Sequence, residues 1–148
     1  MTEKPSPEVD YVSLVNNLVI PESPTASELK ELIARIDQVY SVAQFDYARA
    51  KTDYENAKAM YDSLRKQIYL RLMEEGRGKN NDHREAIIQH ELENYKLDNG
   101  RTVNIVSALN EARERKLFMD SVVRILDQKA DRLITASNVL RLEAQLTQ

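Results

Sequence analysis

The chain has 148 residues, about one domain's worth, with 30% charged and 42% apolar side chains, three glycines and four prolines. Such a balance favours long helices with few turns, and the fold class is read as all-α. The absence of cysteine excludes a disulfide framework, a thiolate metal site and a thiol nucleophile, and a net charge of -3 argues against a surface coated in phosphate contacts.

Residues 1 to 8, with Pro5 and Pro7, read as a flexible start without the apolar core of a signal peptide. Apolar runs throughout are only a few residues long, far short of a membrane span, so the expected location is cytoplasmic, with no membrane partner. In the next stretch Tyr11, Leu14, Val15 and Leu18 fall at helical spacing, closed by Pro21 and Pro24. Residues 1-24 are therefore expected to form an N-terminal arm or short amphipathic helix, and residues 25-148 a helical hairpin domain.

The first long helix begins at a capping-box pattern, Thr25 followed by Glu28, with Pro24 discouraging helix upstream. From there apolar and small residues alternate at spacings of four and three, from Leu29, Ile33 and Ile36 to Leu64 and Ile68. A seven-residue repeat held this long implies supercoiling against a partner helix. A stop before Gly76 gives a rod of roughly 75 Å at about 1.5 Å per residue.

Within that repeat Tyr40, Tyr47, Tyr54 and Tyr61 recur every seven residues, with Ala43, Ala50 and Ala57 between them. One reading is a packing seam in which a bulky ring covers the gap left by each small residue, its phenol oxygen kept at the wet edge. The other is a ladder for stacked bases. A ring packed against a neighbouring helix is closed to a base, and helical spacing favours packing.

The sequence EEGRGKNND then supplies glycines and asparagines for a turn. Asp82, followed by Glu85, is a candidate cap for a shorter helix through Ile87, Ile88, Leu92 and Tyr95, ending at the turn signal Asp98-Asn99-Gly100. The last long helix starts near Asn104 and repeats Ile105, Leu109, Ala112, Lys116, Met119, Val123, Leu126, Ala130, Leu133, Ser137, Leu140 and Ala144. Lys116 and Ser137 interrupt the apolar line, and single polar residues of this kind fix register. Two long helices joined by a compact connector make a long antiparallel, coiled-coil-like hairpin the economical arrangement.

Outside those lines lie Val42, Phe45, Met60 and Leu72 on the first helix and Phe118, Val122 and Ile125 on the last. Val42, Phe45, Phe118, Val122 and Ile125 are the candidate oligomer interface, because a two-helix hairpin has nowhere else to bury them.

Positive charge concentrates in two segments: residues 62 to 84 hold six basic and four acidic side chains, and residues 101 to 148 hold eight and six. In the first, Tyr69 lies among Arg65, Lys66 and Arg71, near Arg77 and Lys79 in the turn. A ring among guanidinium groups is a contact for phosphates and one exposed base; the alternative is a solvated tip partly neutralised by Glu74 and Glu75. GRGK at 76 to 79 lacks Walker spacing and a following Ser or Thr. His83 and His90 are seven apart, too few ligands for a metal site, and no carboxylate is placed in a cleft. The expectation is a protein without catalysis, cofactor or metal.

The stretches LVIPESPTASEL, SLRKQIYLRLMEEGRG and ALNEARERKLFMDSVVRILDQKADRLITASNVLRLEA, in this order, resemble the UvsY-type recombination mediators of tailed phages. The family's basic L-K-x-R-L element is similar to Leu64-Arg65-Lys66-Gln67-Ile68, with Arg65 at its first basic position and Gln67, beside Lys66, at its second. The resemblance implies a ring-like homo-oligomer in the host cytoplasm that binds single-stranded DNA, and together with the basic cluster it makes Arg65, Lys66, Tyr69, Arg71, Arg77 and Lys79 the candidate DNA contacts. It further implies partnership with a recombinase, which it helps to load, and with the single-strand-binding protein it displaces. The competing reading is a coiled-coil adaptor or structural subunit whose apolar flank grips a partner protein.

Overall fold

The computed structural model describes residues 8-147, so most of the proline-bearing start lies outside the described residues. The fold is all-α, a helical-hairpin topology in which two long helices pack against each other. In chain order the elements are α1 (Tyr11–Asn17), α2 (Ala26–Glu74), α3 (Asn81–Glu93), β1 (Tyr95–Lys96), β2 (Thr102–Val103) and α4 (Ile105–Leu146). No helix among the described residues is long and apolar enough to cross a membrane.

The chain divides into two compact units, residues 1-47 with 118-148, and residues 48-117. In the first, α1 is a true helix capped by Asp10, whose carboxylate accepts from the Ser13 amide at 3.1 Å and the Ser13 hydroxyl at 2.9 Å. Those bonds hold the Asp10 carboxyl below its usual range. Tyr11, Val15 and Leu18 are buried, as are Leu29, Leu32, Ile36 and Ala43 of α2 and Met119, Val122, Leu126 and Leu133 of α4. Two polar contacts tie α1 down: the Tyr11 hydroxyl donates to Asp46, and Lys129 Nζ donates to the Leu18 carbonyl at 2.6 Å. Tyr40 donates to Asp127 at 2.6 Å, while Leu29 and Ile33 share a groove with Leu140 and Ser137. As α2 advances, its partner on α4 recedes, so the two run antiparallel in this unit.

Two expectations are corrected here. Val122, assigned to the outer flank, is 5% exposed and belongs to the core. Ile33, assigned to the inner line, is 40% exposed, and Leu32 is buried in its place. A helix of 3.6 residues per turn drifts against a strict seven-residue repeat, and the presence of α1 gives α2 and α4 a second surface to cover.

In the second unit α2 ends where the sequence stops it. Gly76 takes φ 63°, its amide donates to the Met73 carbonyl at 3.3 Å, and the Arg77 amide reaches back to Leu72 at 2.9 Å. This is the paired bonding of a Schellman cap. The cap of α3 is Asn80, not Asp82: its Oδ1 accepts from the His83 amide at 2.8 Å, and Asp82 sits in the first turn. The shift brings two more residues, Asn81 and Asp82, into the helix and leaves the Asp82 carboxylate to favour the helix dipole. After α3, β1 and β2 pair antiparallel, Tyr95 with Val103 and Lys96 with Thr102, around the Asp98-Asn99-Gly100 turn. Gly100 there adopts φ 82°. Asn104 caps α4 by accepting from the Ser107 amide at 2.9 Å.

The core of this unit is Leu64, Ile68, Leu72, Ile88, Leu92 and Ile105. Leu72, expected on an outer flank, is fully buried because α3 and the small hairpin provide a lid that the long helices alone would lack.

Candidate functional site

Along α2 the alternation of tyrosine and alanine divides by depth. Ala43 and Ala50 are fully buried, whereas Tyr40, Tyr47, Tyr54, Ala57 and Tyr61 are half-buried. Small residues thus occupy the closest approach and the rings flank it, where their polar atoms and faces meet charge. In the first unit the Tyr40 hydroxyl binds Asp127, which raises its pKa. In the second unit Lys116 Nζ lies 4.9 Å from the Tyr54 ring centroid, and Arg113 stands 5.9 Å away. The lysine that interrupts the apolar line of α4 thereby covers an aromatic face.

The six residues singled out for DNA contact occupy the second unit, and the fold sorts them into two groups. Arg65 lies against α3, its two terminal nitrogens donating to Glu85 at 2.8 and 2.6 Å. Arg71 pairs with Glu91 through one terminal nitrogen. Both pairs span twenty positions along the chain, so they fasten α3 beside α2. Arg77 meets its neighbour Glu75 at a loose 3.5 Å. Lys66 and Lys79 have no carboxylate partner among the described residues, and the Lys79 amide donates to His83 Nδ1 at 3.2 Å.

Lys66 and Tyr69 share their helical face with Leu70 and Met73, since positions three and four apart stack on one side. All of these side chains are exposed: Tyr69 by 37%, Leu70 by 51% and Met73 by 48%. This stripe runs into the turn that carries Arg77 and Lys79. An aromatic and apolar strip bounded by Lys66 at one end and a basic turn at the other suits a chain of bases on a phosphate backbone. Neither Leu70 nor Met73 was singled out from sequence, although their spacing from Lys66 and Tyr69 carries the signal.

In the first unit, Val42 (48%), Phe45 (67%), Phe118 (45%) and Ile125 (40%) are exposed, and four of the five proposed interface residues thus remain at the surface. Met60, in the second unit, is 43% exposed. No group of three or more His, Cys, Asp or Glu side chains among the described residues could hold a metal ion. Comparison with family models, curated proteins and solved structures finds no significant match.

Proposed function

We propose that this chain is a non-catalytic, self-associating helical accessory protein that binds single-stranded DNA, in the manner of a recombination mediator. The observation that carries the reading is the exposed Lys66-Tyr69-Leu70-Met73 face of α2 leading into the Arg77 and Lys79 turn. Arg65 and Arg71 are positioning residues in this scheme. Their guanidinium groups are joined to Glu85 and Glu91 of α3, and the strand is met by Lys66, Tyr69, Arg77 and Lys79. Recombinase and single-strand-binding protein are the partners that such a function would require.

The test is titration of a fluorescent oligothymidylate at two salt concentrations. With three cationic contacts, Lys66, Arg77 and Lys79, affinity should fall by roughly tenfold or more between 50 and 200 mM salt. A Lys66→Glu, Lys79→Glu variant should lose binding while keeping its helical circular dichroism, since neither lysine holds an ion pair among the described residues. Unchanged affinity in that variant, or no salt dependence, would remove the stripe as a DNA site.

A second reading has its own observation. Val42, Phe118 and Ile125 are exposed apolar side chains of one unit on a protein that is 30% charged, as a protein-binding adaptor or structural subunit would carry. Under that reading oligothymidylate does not bind at physiological salt.

A further inference from the structure

The second unit also contains an open groove of about 580 Å³ between α2, the end of α3 and β1. Its floor is apolar, Leu64 and Ile68 being buried, with the half-buried Tyr95 ring against it. Its rim is polar and carries Gln67, His90, Asn94 and Lys96, with Arg71 and Glu91 already joined. The volume lies within the usual range for a small-molecule site, about 300 to 1,000 Å³. The chemistry is of two kinds at once: a flat apolar bed, and amides with one unneutralised cation around it.

A nucleobase with its phosphate matches both. It has an apolar face to lay on Leu64, Ile68 and Tyr95, an edge of donors and acceptors for side-chain amides, and a negative charge for Lys96. Asn94 spends its amide nitrogen on the His90 carbonyl at 3.0 Å, which fixes the side chain at the end of α3. Gln67 makes only a long contact of 3.4 Å to Ser63. Lys96 forms no ion pair among the described residues, and with Arg71 balanced by Glu91 the rim carries one net positive charge.

We infer that this groove receives one unstacked nucleotide of a bound single strand, its base on the Leu64-Ile68-Tyr95 floor and its phosphate toward Lys96. The inference rests on the DNA-binding reading and adds to it a second contact point, reached from the exposed stripe by a base turned out of the strand. Gln67 points about 100° around α2 from Lys66, so the strand that meets Lys66 turns around the helix to bring the base to the groove.

The experiment uses the full chain with ¹³C-methyl-labelled isoleucine, a 15-residue oligothymidylate, and an abasic oligomer of equal length and charge. Ile68 is the reporter, being the isoleucine on the groove floor. Its methyl resonance should move with oligothymidylate and stay in place with the abasic oligomer. A Gln67→Ala, Lys96→Ala variant should lose that movement, together with roughly tenfold in affinity. Oligothymidylate that binds while Ile68 remains still overturns the groove and leaves the stripe standing. Movement of Ile68 with the abasic oligomer also overturns it, because no base is present to enter. Failure of oligothymidylate to bind at all overturns the DNA-binding reading, and the groove with it.

Discussion

Tyr11 is 5% exposed, and its hydroxyl donates to a half-buried carboxylate, Asp46. Burial first, and the neighbouring Asp46 second, raise the phenol's pKa well above its ordinary 10.0. The bonded form is the protonated one, so this contribution to stability is complete below pH 10. It is lost as pH rises above 10, where the unfolded chain releases the proton and the folded chain resists doing so. Tyr11→Phe should cost about 1 kcal/mol in urea unfolding between pH 7 and 9, and the gap to the parent should narrow above pH 10. A gap that held constant to pH 11 would mean the hydroxyl contributes nothing through Asp46. At this scale the sequence disclosed Tyr11 as apolar-facing by its spacing from Leu14, Val15 and Leu18. It could not disclose Asp46, thirty-five residues away, because that partnership exists only once α1 has docked. The same limit hid the acceptors of Arg65 and Arg71: Glu85 and Glu91 are ordinary surface glutamates until α3 lies beside α2.

Helix boundaries were legible wherever a local rule decides them. Thr25 accepts from the Glu28 amide at 3.2 Å, as the capping pattern indicates, and Gly76 terminates α2. Boundaries set by competition between neighbouring polar residues were less so: Asn80 takes the cap of α3 in preference to Asp82, and the two-residue strands on either side of Gly100 have too few residues for any alternation to show. The turn itself allows a comparison. Gly76 and Gly78 both hold positive φ, 63° and 89°, but a Cβ on Gly76 meets open space, whereas one on Gly78 lies 2.5 Å from Arg84 Cγ. Arg84 is half-buried, donates to Asn81 at 3.0 Å and keeps a buried Nε without a partner, so it has little freedom to retreat. Gly76→Ala should therefore cost about 1 kcal/mol, the backbone penalty alone. Gly78→Ala should cost on the order of 2 to 3 kcal/mol, because displacement of Arg84 adds to it. Thermal unfolding of the two variants compares them directly, and equal losses would show that Arg84 moves aside without cost.

For the molecule as a whole, the all-α class and the pairing of two long helices followed from a repeat sustained over many turns, which a single misplaced residue such as Ile33 does not disturb. The groove did not follow, because it depends on where α3 comes to rest, whereas the stripe followed in part through Lys66 and Tyr69 and could be completed from the spacing of Leu70 and Met73. Self-association is the property on which the proposed function most depends. Exposed apolar side chains can meet those of a second copy without placing like charges together at the point of contact, as a two-fold or cyclic contact requires, whereas burial against a charged partner would leave that partner's ions desolvated. Val42 and Phe118 are exposed on separate helices of one unit, and acidic side chains at both positions would force carboxylates into such a contact from each copy. Sedimentation at tens of micromolar should show an oligomer for the parent chain. The Val42→Glu, Phe118→Glu variant should dissociate about a hundredfold more readily, the equivalent of roughly 1.4 kcal/mol at each position. Its helical content should not change, because both sites are already at the surface. A parent chain that sediments as a monomer would leave these apolar residues without a second copy to cover them and would shift the balance toward an adaptor that meets a different protein.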